Sequence, residues 1–197
     1  MDNHYEFCAL GAYKNELFRL FCDTENNPLC ELLIDLLMPT LDDTRFNKFD
    51  NFLGGEYTKN GELVKLKGHI FDVPFVYSTI EDTRNVICMD DNIITNSHST
   101  KQLSVTIYVM CHKNTLNLDS ATRRKYKELG YIGRNRLDIA IAIIGDIINH
   151  SDIKSLGKLQ PTPTSPTQSY FPNNDFFGKI LNYITSDFMM DYSKEVT

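Results

Sequence analysis

Residues 103–111 alternate along the chain. Leu103, Val105, Ile107 and Val109 are apolar and branched, and small, polar or amphipathic residues fill the positions between them. This period of two predicts a half-buried β-strand over 103–112, with one face on a core and Cys111 continuing that face. Arg134 to Asn149 follows a different period. Leu137, Ala140, Ile141, Ile144, Ile147 and Ile148 form a stripe with helical spacing, and Ile139 and Ile143 widen it, so both sides of this helix are expected to be covered. At the N-terminal end, Phe7, Leu10, Tyr13, Leu17, Phe18, Leu20 and Phe21 recur at intervals of three and four, which predicts an amphipathic helix over 5–22 despite Gly11. Asn26-Asn27-Pro28 breaks it, and Pro28 suits the first position of a second helix that runs through Met38 and stops before Pro39.

Between these segments the chain is punctuated. Gly54-Gly55 and Asn60-Gly61 mark turns, and Asn60-Gly61 between Glu56–Thr58 and Leu63–Leu66 predicts a hairpin with a two-residue loop. Residues 70–77 read as an extended segment, in which Pro74 implies an edge or a bulge. Val86–Asp90 reads as a short strand, Asp91–Lys101 as a polar loop and Asn114–Ile132 as a long polar connection. Pro161–Thr167 is rich in proline and threonine, so 160–175 is expected to be an extended loop or arm, and Phe176–Phe188 a last strand. This order predicts an α+β fold: an antiparallel or mixed β-sheet, helices packed on one face, and an N-terminal helical pair over 1–39. The whole of 1–197 is expected to form one domain.

Composition narrows the function classes. The chain has 197 residues and a formal charge of −6, with a pI near 5.3. That length builds one well-buried core, and the acidic balance excludes a domain-wide basic field for holding nucleic acid. The five cysteines, Cys8, Cys22, Cys30, Cys88 and Cys111, are odd in number and widely spaced, without a C-x-x-C pair. They fit buried thiols in a reducing compartment rather than a zinc ribbon or redox motif. Met1–Glu6 has neither the basic nor the apolar part of a signal peptide. The longest apolar run, Ile139–Ile144, has six residues, against roughly 20 for a membrane span. No membrane partner is expected.

Several polar groups invite chemistry. Arg134, Arg136 and Asp138 open the main helix and could form an arginine fork toward a carboxylate or phosphate. The plainer reading is a helix N-terminal turn with a local ion pair, although Arg136 and Asp138, two apart, do not face each other. Arg123-Arg124-Lys125-Tyr126-Lys127 is a basic run that could touch phosphates or an acidic partner, or remain a solvated face. Asp42-Asp43, Glu81-Asp82, Asp90-Asp91 and Lys101 could be stretched into a magnesium site, but acidic pairs far more often mark loops. Cys111 and His112, adjacent on a strand, point to opposite faces and cannot form a dyad, so Cys111 is expected in the core and His112 outward. His4, His69, His98 and His150 are isolated. Gly130-Tyr131-Ile132-Gly133 lacks the Gly-Lys-Ser/Thr ending of a phosphate loop and suits a tight turn. No catalytic, cofactor or metal residues are assigned. Arg123, Arg124, Arg134, Arg136 and Asp138 are the candidate interface.

The strand Gln102–Lys113, the helix from Arg134-Asn135-Arg136-Leu137-Asp138 to Asn149, the link Leu156-Gly157-Lys158-Leu159 and the ending Phe177–Phe188 follow one another in an order that is similar to the small tail-terminator and head–tail joining proteins of tailed bacteriophages. The resemblance covers about residues 70–190 and lies in the order of elements. The N-terminal helical pair and Pro161–Thr167 depart from it. It implies a structural virion protein at the phage neck or tail end. Such a subunit forms or joins a ring, often a hexamer, that connects or terminates the tail. The implied partners are copies of itself and other neck, connector or tail-tube proteins, with DNA only as passing cargo. The implied location is the virion, with assembly in the host cytoplasm. Two other classes stay open: a magnesium-dependent nuclease, and a monomeric accessory or inhibitor protein that binds a host factor.

Overall fold

A computed structural model of the chain describes residues 15–38, 52, 55–59, 62–66, 68–71, 83–95, 101–150 and 158–185. In chain order, residues 15–22 are helical (α1) and lead through a turn to α2 (Pro28–Leu37). A hairpin pairs β1 (Gly55–Lys59) with β2 (Glu62–Leu66), then β3 (Ile70–Phe71), β4 (Val86–Thr95) and β5 (Lys101–His112) follow. Three helices come next, α3 (Lys113–Leu116), α4 (Ser120–Glu128) and α5 (Arg136–Asn149), and then β6 (Leu159–Pro161), β7 (Thr167–Tyr170) and β8 (Phe176–Thr185).

The six-stranded sheet runs β3-β4-β5-β8, with β6 and β7 end to end along the outer edge of β8. β3 lies parallel to β4, and the other pairs are antiparallel. The fold is therefore α+β with a mixed sheet and an N-terminal helical pair. Alternation decides which face is packed. Leu103, Val105, Ile107, Val109 and Cys111 of β5 are fully buried in one core with Ile87 and Met89 of β4 and Leu181 and Tyr183 of β8. α5 lies on this face and α2 packs on α5. Being covered from both sides explains the wide apolar stripe: Leu137, Ile139, Ala140, Ile143, Ile144, Ile147 and Ile148 are all buried. The opposite face carries a smaller cluster of Val86, Cys88, Met110 and Phe176.

Several elements differ from the sequence expectation. β4 continues to Thr95, because Asp91 to Thr95 pair with Val105 to Lys101 across a hairpin, and pairing extends a polar segment that alternation alone leaves as a loop. The connection after β5 contains α3 and α4. α4 starts on a cap, with Asp119 accepting from the Ala121 and Thr122 amides at 2.9 and 2.8 Å. It ends in a Schellman turn, in which the Tyr131 amide bonds the Tyr126 carbonyl and the Gly130 amide bonds the Lys127 carbonyl, with Gly130 at φ +92°. The 160–175 segment is extended but docked. The Thr162 amide and the Pro166 carbonyl both bond the Asn182 backbone, and the chain detours between them, so its prolines interrupt an edge strand. The strands flanking Asn60-Gly61 pair antiparallel as expected, with Lys59 opposite Glu62, and the two turn residues lie outside the described residues. Residues 5–14, the 72–77 part of the Pro74 segment, Asp42-Asp43, Glu81-Asp82, the 156–157 part of the link and 186–188 lie outside the described residues.

Candidate functional site

α5 begins at a polar junction. Asn135 caps it, accepting from the Asp138 amide at 2.9 Å, and the Asp138 carboxylate accepts from the Arg134 amide at 3.3 Å. This reciprocal pairing resembles a capping box, so Asp138 serves the helix end and not a side-chain pair with Arg136. Arg136 turns inward and is only 5% exposed. Its Nε donates to the Thr115 carbonyl at 2.7 Å and its Nη1 donates to the Leu36 carbonyl. Asn85 completes the junction, donating to the Leu37 carbonyl at 2.8 Å and accepting from the Thr115 hydroxyl at 2.5 Å. Tyr126 donates to the Leu32 carbonyl at 2.9 Å. Two carbonyls that the last turn of α2 leaves open, those of Leu36 and Leu37, thus find donors on α5 and just before β4, and Tyr126 adds a bond one turn earlier. Burial pulls the Arg136 pKa down, against the pull of Cys111 and Tyr126. Arg136 thus holds main-chain carbonyls, neither the carboxylate or phosphate of a fork nor the local ion pair of the plainer reading.

The other basic candidates face outward. Tyr126 anchors α4 on α2, and Arg123, Arg124, Lys125 and Lys127 are exposed on the rest of that helix. Lys125 reaches Asp35 of α2 at 3.3 Å, and Arg123 reaches the Leu118 carbonyl at 3.4 Å. Arg134 is also exposed. Apolar groups interrupt this basic surface. Ile132 is 84% exposed, and Leu129 lies open beside it in the chain. The exposed Phe171 (66%) meets Phe177 edge-on at 5.9 Å between ring centres. Phe171 and Phe177 belong to one end of the sheet. Phe177 lies opposite Cys111 at the end of β5, Lys113 binds Asp175 at 2.5 Å, and Arg136, four residues past Ile132, touches Thr115.

Nucleophilic and acid–base candidates are placed differently. Cys111 faces the helices, and burial pushes its thiol up to about 12. Cys22 rises to about 12 and Cys30 to about 11, again chiefly by burial. Such thiols carry little thiolate at neutral pH. His112 does point to the other face, but it is buried there, not outward as expected. It packs edge-on against Phe176 at 5.2 Å between ring centres, and its Nδ1 accepts from the Asn114 amide at 3.2 Å. The small second core covers it. Asp90 and Asp91 are successive residues of β4, opposite Thr106 and Val105, and so leave the sheet on different faces. Among the described residues no three His, Cys, Asp or Glu side chains converge as metal ligands. Gly130–Gly133 is the Schellman turn and the approach to α5. A Cβ at Gly133 would come within 2.8 Å of Ile139.

Sequence reasoning passed over Asn85 and Thr115. Each is a polar residue beside an element boundary, and neither belongs to a motif. Their role appears only when α2, α3 and the start of β4 meet.

These features define a class: an α+β domain with a mixed sheet, helices stacked on one face, and a charged, partly apolar end. The chain belongs to the YomW family, whose model matches residues 15–185. The family carries the name of an SPbeta-type phage gene product, which points to a phage origin. No curated protein and no solved structure matches the chain. No described helix is long and apolar enough to cross a membrane.

Proposed function

We propose that this protein is a non-enzymatic structural subunit of a phage particle, placed at the neck or tail end, where copies form or join a ring that connects or terminates the tail. The observation that carries this reading is the exposure of four large apolar side chains, Leu129, Ile132, Phe171 and Phe177, of which Phe171 and Phe177 pair edge-on at one end of the sheet. Isolated exposed apolar residues are ordinary, whereas several together mark an interaction surface. Phe177 belongs to β8 itself, and the Lys113–Asp175 contact ties the turn before β8 to the end of β5. The residues outside 113–134 carry strong negative charge, which suits a subunit that DNA passes without adhering.

Light scattering with negative-stain imaging of the purified chain tests the reading. Closed rings, or rings completed by a neck or tail partner, are the expected result. A chain that stays monomeric with every such partner overturns it. Divalent-metal-dependent DNA cleavage by the clean protein would replace it with the nuclease reading.

A further inference from the structure

Charge is distributed unevenly over this chain. Residues 113–134 hold six basic and two acidic side chains, a net of +4, so the rest of the chain carries −10 of the −6 total. Residues 15–38 hold five acidic side chains, Glu16, Asp23, Glu25, Glu31 and Asp35, against Arg19 alone, a net of −4. The two surfaces already touch inside one molecule, through Lys125 on Asp35 and Tyr126 on the Leu32 carbonyl. Beyond that seam the basic side chains Arg123, Arg124 and Lys127 stay exposed on α4, and Glu25 and Glu31 stay exposed on the α1–α2 hairpin. Arg123 and Lys127 stand four apart on one helix, where like charges repel. Among the described residues neither Arg124 nor Lys127 has an ion-pair partner.

We infer that the α4 surface, with Leu129 and Ile132 as its apolar centre, docks on the acidic α1–α2 hairpin of a second copy of this chain. This inference rests on the assembly reading above and names the contact. The occupant follows from three observations. Every copy carries both a segment of net −4, residues 15–38, and a segment of net +4, residues 113–134. The basic patch includes two exposed apolar side chains, which suit a protein interface with an apolar centre and a charged rim. The −10 on the rest of the chain opposes a nucleic acid, which would have to approach an acidic molecule through one helix. Complementary charge of this kind speeds encounter and fixes register, and salt weakens it.

The test is a charge exchange on the full chain, read by light scattering at low and high salt. The R123E/R124E/K127E and E16K/E25K/E31K variants alter exposed or half-exposed positions, and circular dichroism checks that both remain folded. The wild type is expected to self-associate, and more weakly as salt rises. Each variant alone is expected to associate at least ~10-fold more weakly, and an equimolar mixture of the two to recover association. Association of R123E/R124E/K127E at wild-type strength overturns the contact but leaves the ring reading standing if rings still form. A wild type that is monomeric at every salt overturns the contact and removes self-assembly, leaving only a subunit that joins a ring of other proteins. Wild-type binding to duplex DNA that R123E/R124E/K127E abolishes, without any change in mass, also overturns it and assigns the patch to nucleic acid.

Discussion

Arg136 joins three helix ends, and its guanidinium faces carbonyls from α2 and α3 rather than an opposing charge. Removing it strands those buried acceptors. Arg136→Met is expected to lower stability by about 2–4 kcal/mol, the range for losing charge-assisted hydrogen bonds at a buried site. Urea unfolding measures this, and a loss below ~1 kcal/mol would mean that water replaces the guanidinium. The tyrosines set a limit on the alkaline side. Burial raises the phenols of Tyr108, Tyr126, Tyr170 and Tyr183, and burial together with the Asp146 carboxylate raises Tyr131 to about 12 from 10.0. A raised pKa means that the folded state holds its proton more tightly. Its contribution is therefore complete below the unfolded value and is lost as pH rises through the folded one. For Tyr131 that window runs from 10.0 to about 12, and the thiols of Cys22, Cys30 and Cys111 add to it from 9.0 upward. Stability is expected to fall through this window, with phenol ionisation tracking unfolding. The chain has no tryptophan, so the ultraviolet difference spectrum reports tyrosine cleanly. Phenols that titrate well below the unfolding transition would contradict it.

The strand pair β5–β8 leaves almost no room at Gly178. A Cβ there would lie 3.0 Å from the Val109 carbonyl oxygen, 3.1 Å from Met110 and 3.3 Å from the Tyr170 ring. Tyr170 crosses over that glycine to meet Tyr108 at 5.6 Å between ring centres. Gly178→Ala is expected to cost about 1–2 kcal/mol, because crowding outweighs the reduced chain entropy of the unfolded state. A thermal or urea melt decides the sign, and an unchanged or raised midpoint would show that the strands separate freely. At this scale the sequence is legible where one period dominates. Residues 103–112 and 137–148 announce their elements because alternation and helical spacing record which side is buried. α4 hides because its single buried anchor is Tyr126, and its polar face offers only the Asp119 cap and Gly130 as signals. The second half of β4 hides because its partner strand, not its own composition, extends it. The junction of Asn85, Thr115 and Arg136 is illegible for a similar reason. Leu36 and Arg136 are 100 positions apart, and no local pattern encodes a bond between them.

Over the whole molecule the large apolar side chains that stay exposed, Ile132 and Phe171 above all, lie outside the core that holds the fold, and this separates assembly from stability. Ile132 and Phe171 touch the solvent far more than the core, so Ile132→Asp and Phe171→Ser are expected to change folding stability by no more than ~0.5 kcal/mol. If these side chains dock on another subunit, the same substitutions place a charge or a gap where apolar area is removed from water. Association is then expected to weaken by ~10-fold or more, as for a central interface contact. Urea midpoints and light-scattering mass on the same samples separate the two effects. A variant with an unchanged midpoint and lost association identifies a docking surface. Parallel losses in both would mean that these side chains support the turn at the end of the sheet, and unchanged association would move the interface to the opposite sheet face, where Tyr108 and Tyr170 lie half-buried beside the small second core. The salt response adds a second axis. Apolar burial persists as ionic strength rises, whereas the attraction between the +4 and −4 segments is screened beyond about 10 Å at 0.1 M salt. An interface centred on Ile132 and rimmed by Arg123, Arg124 and Lys127 should therefore lose encounter rate with salt sooner than it loses lifetime, and Ile132→Asp should shorten the lifetime at every salt concentration.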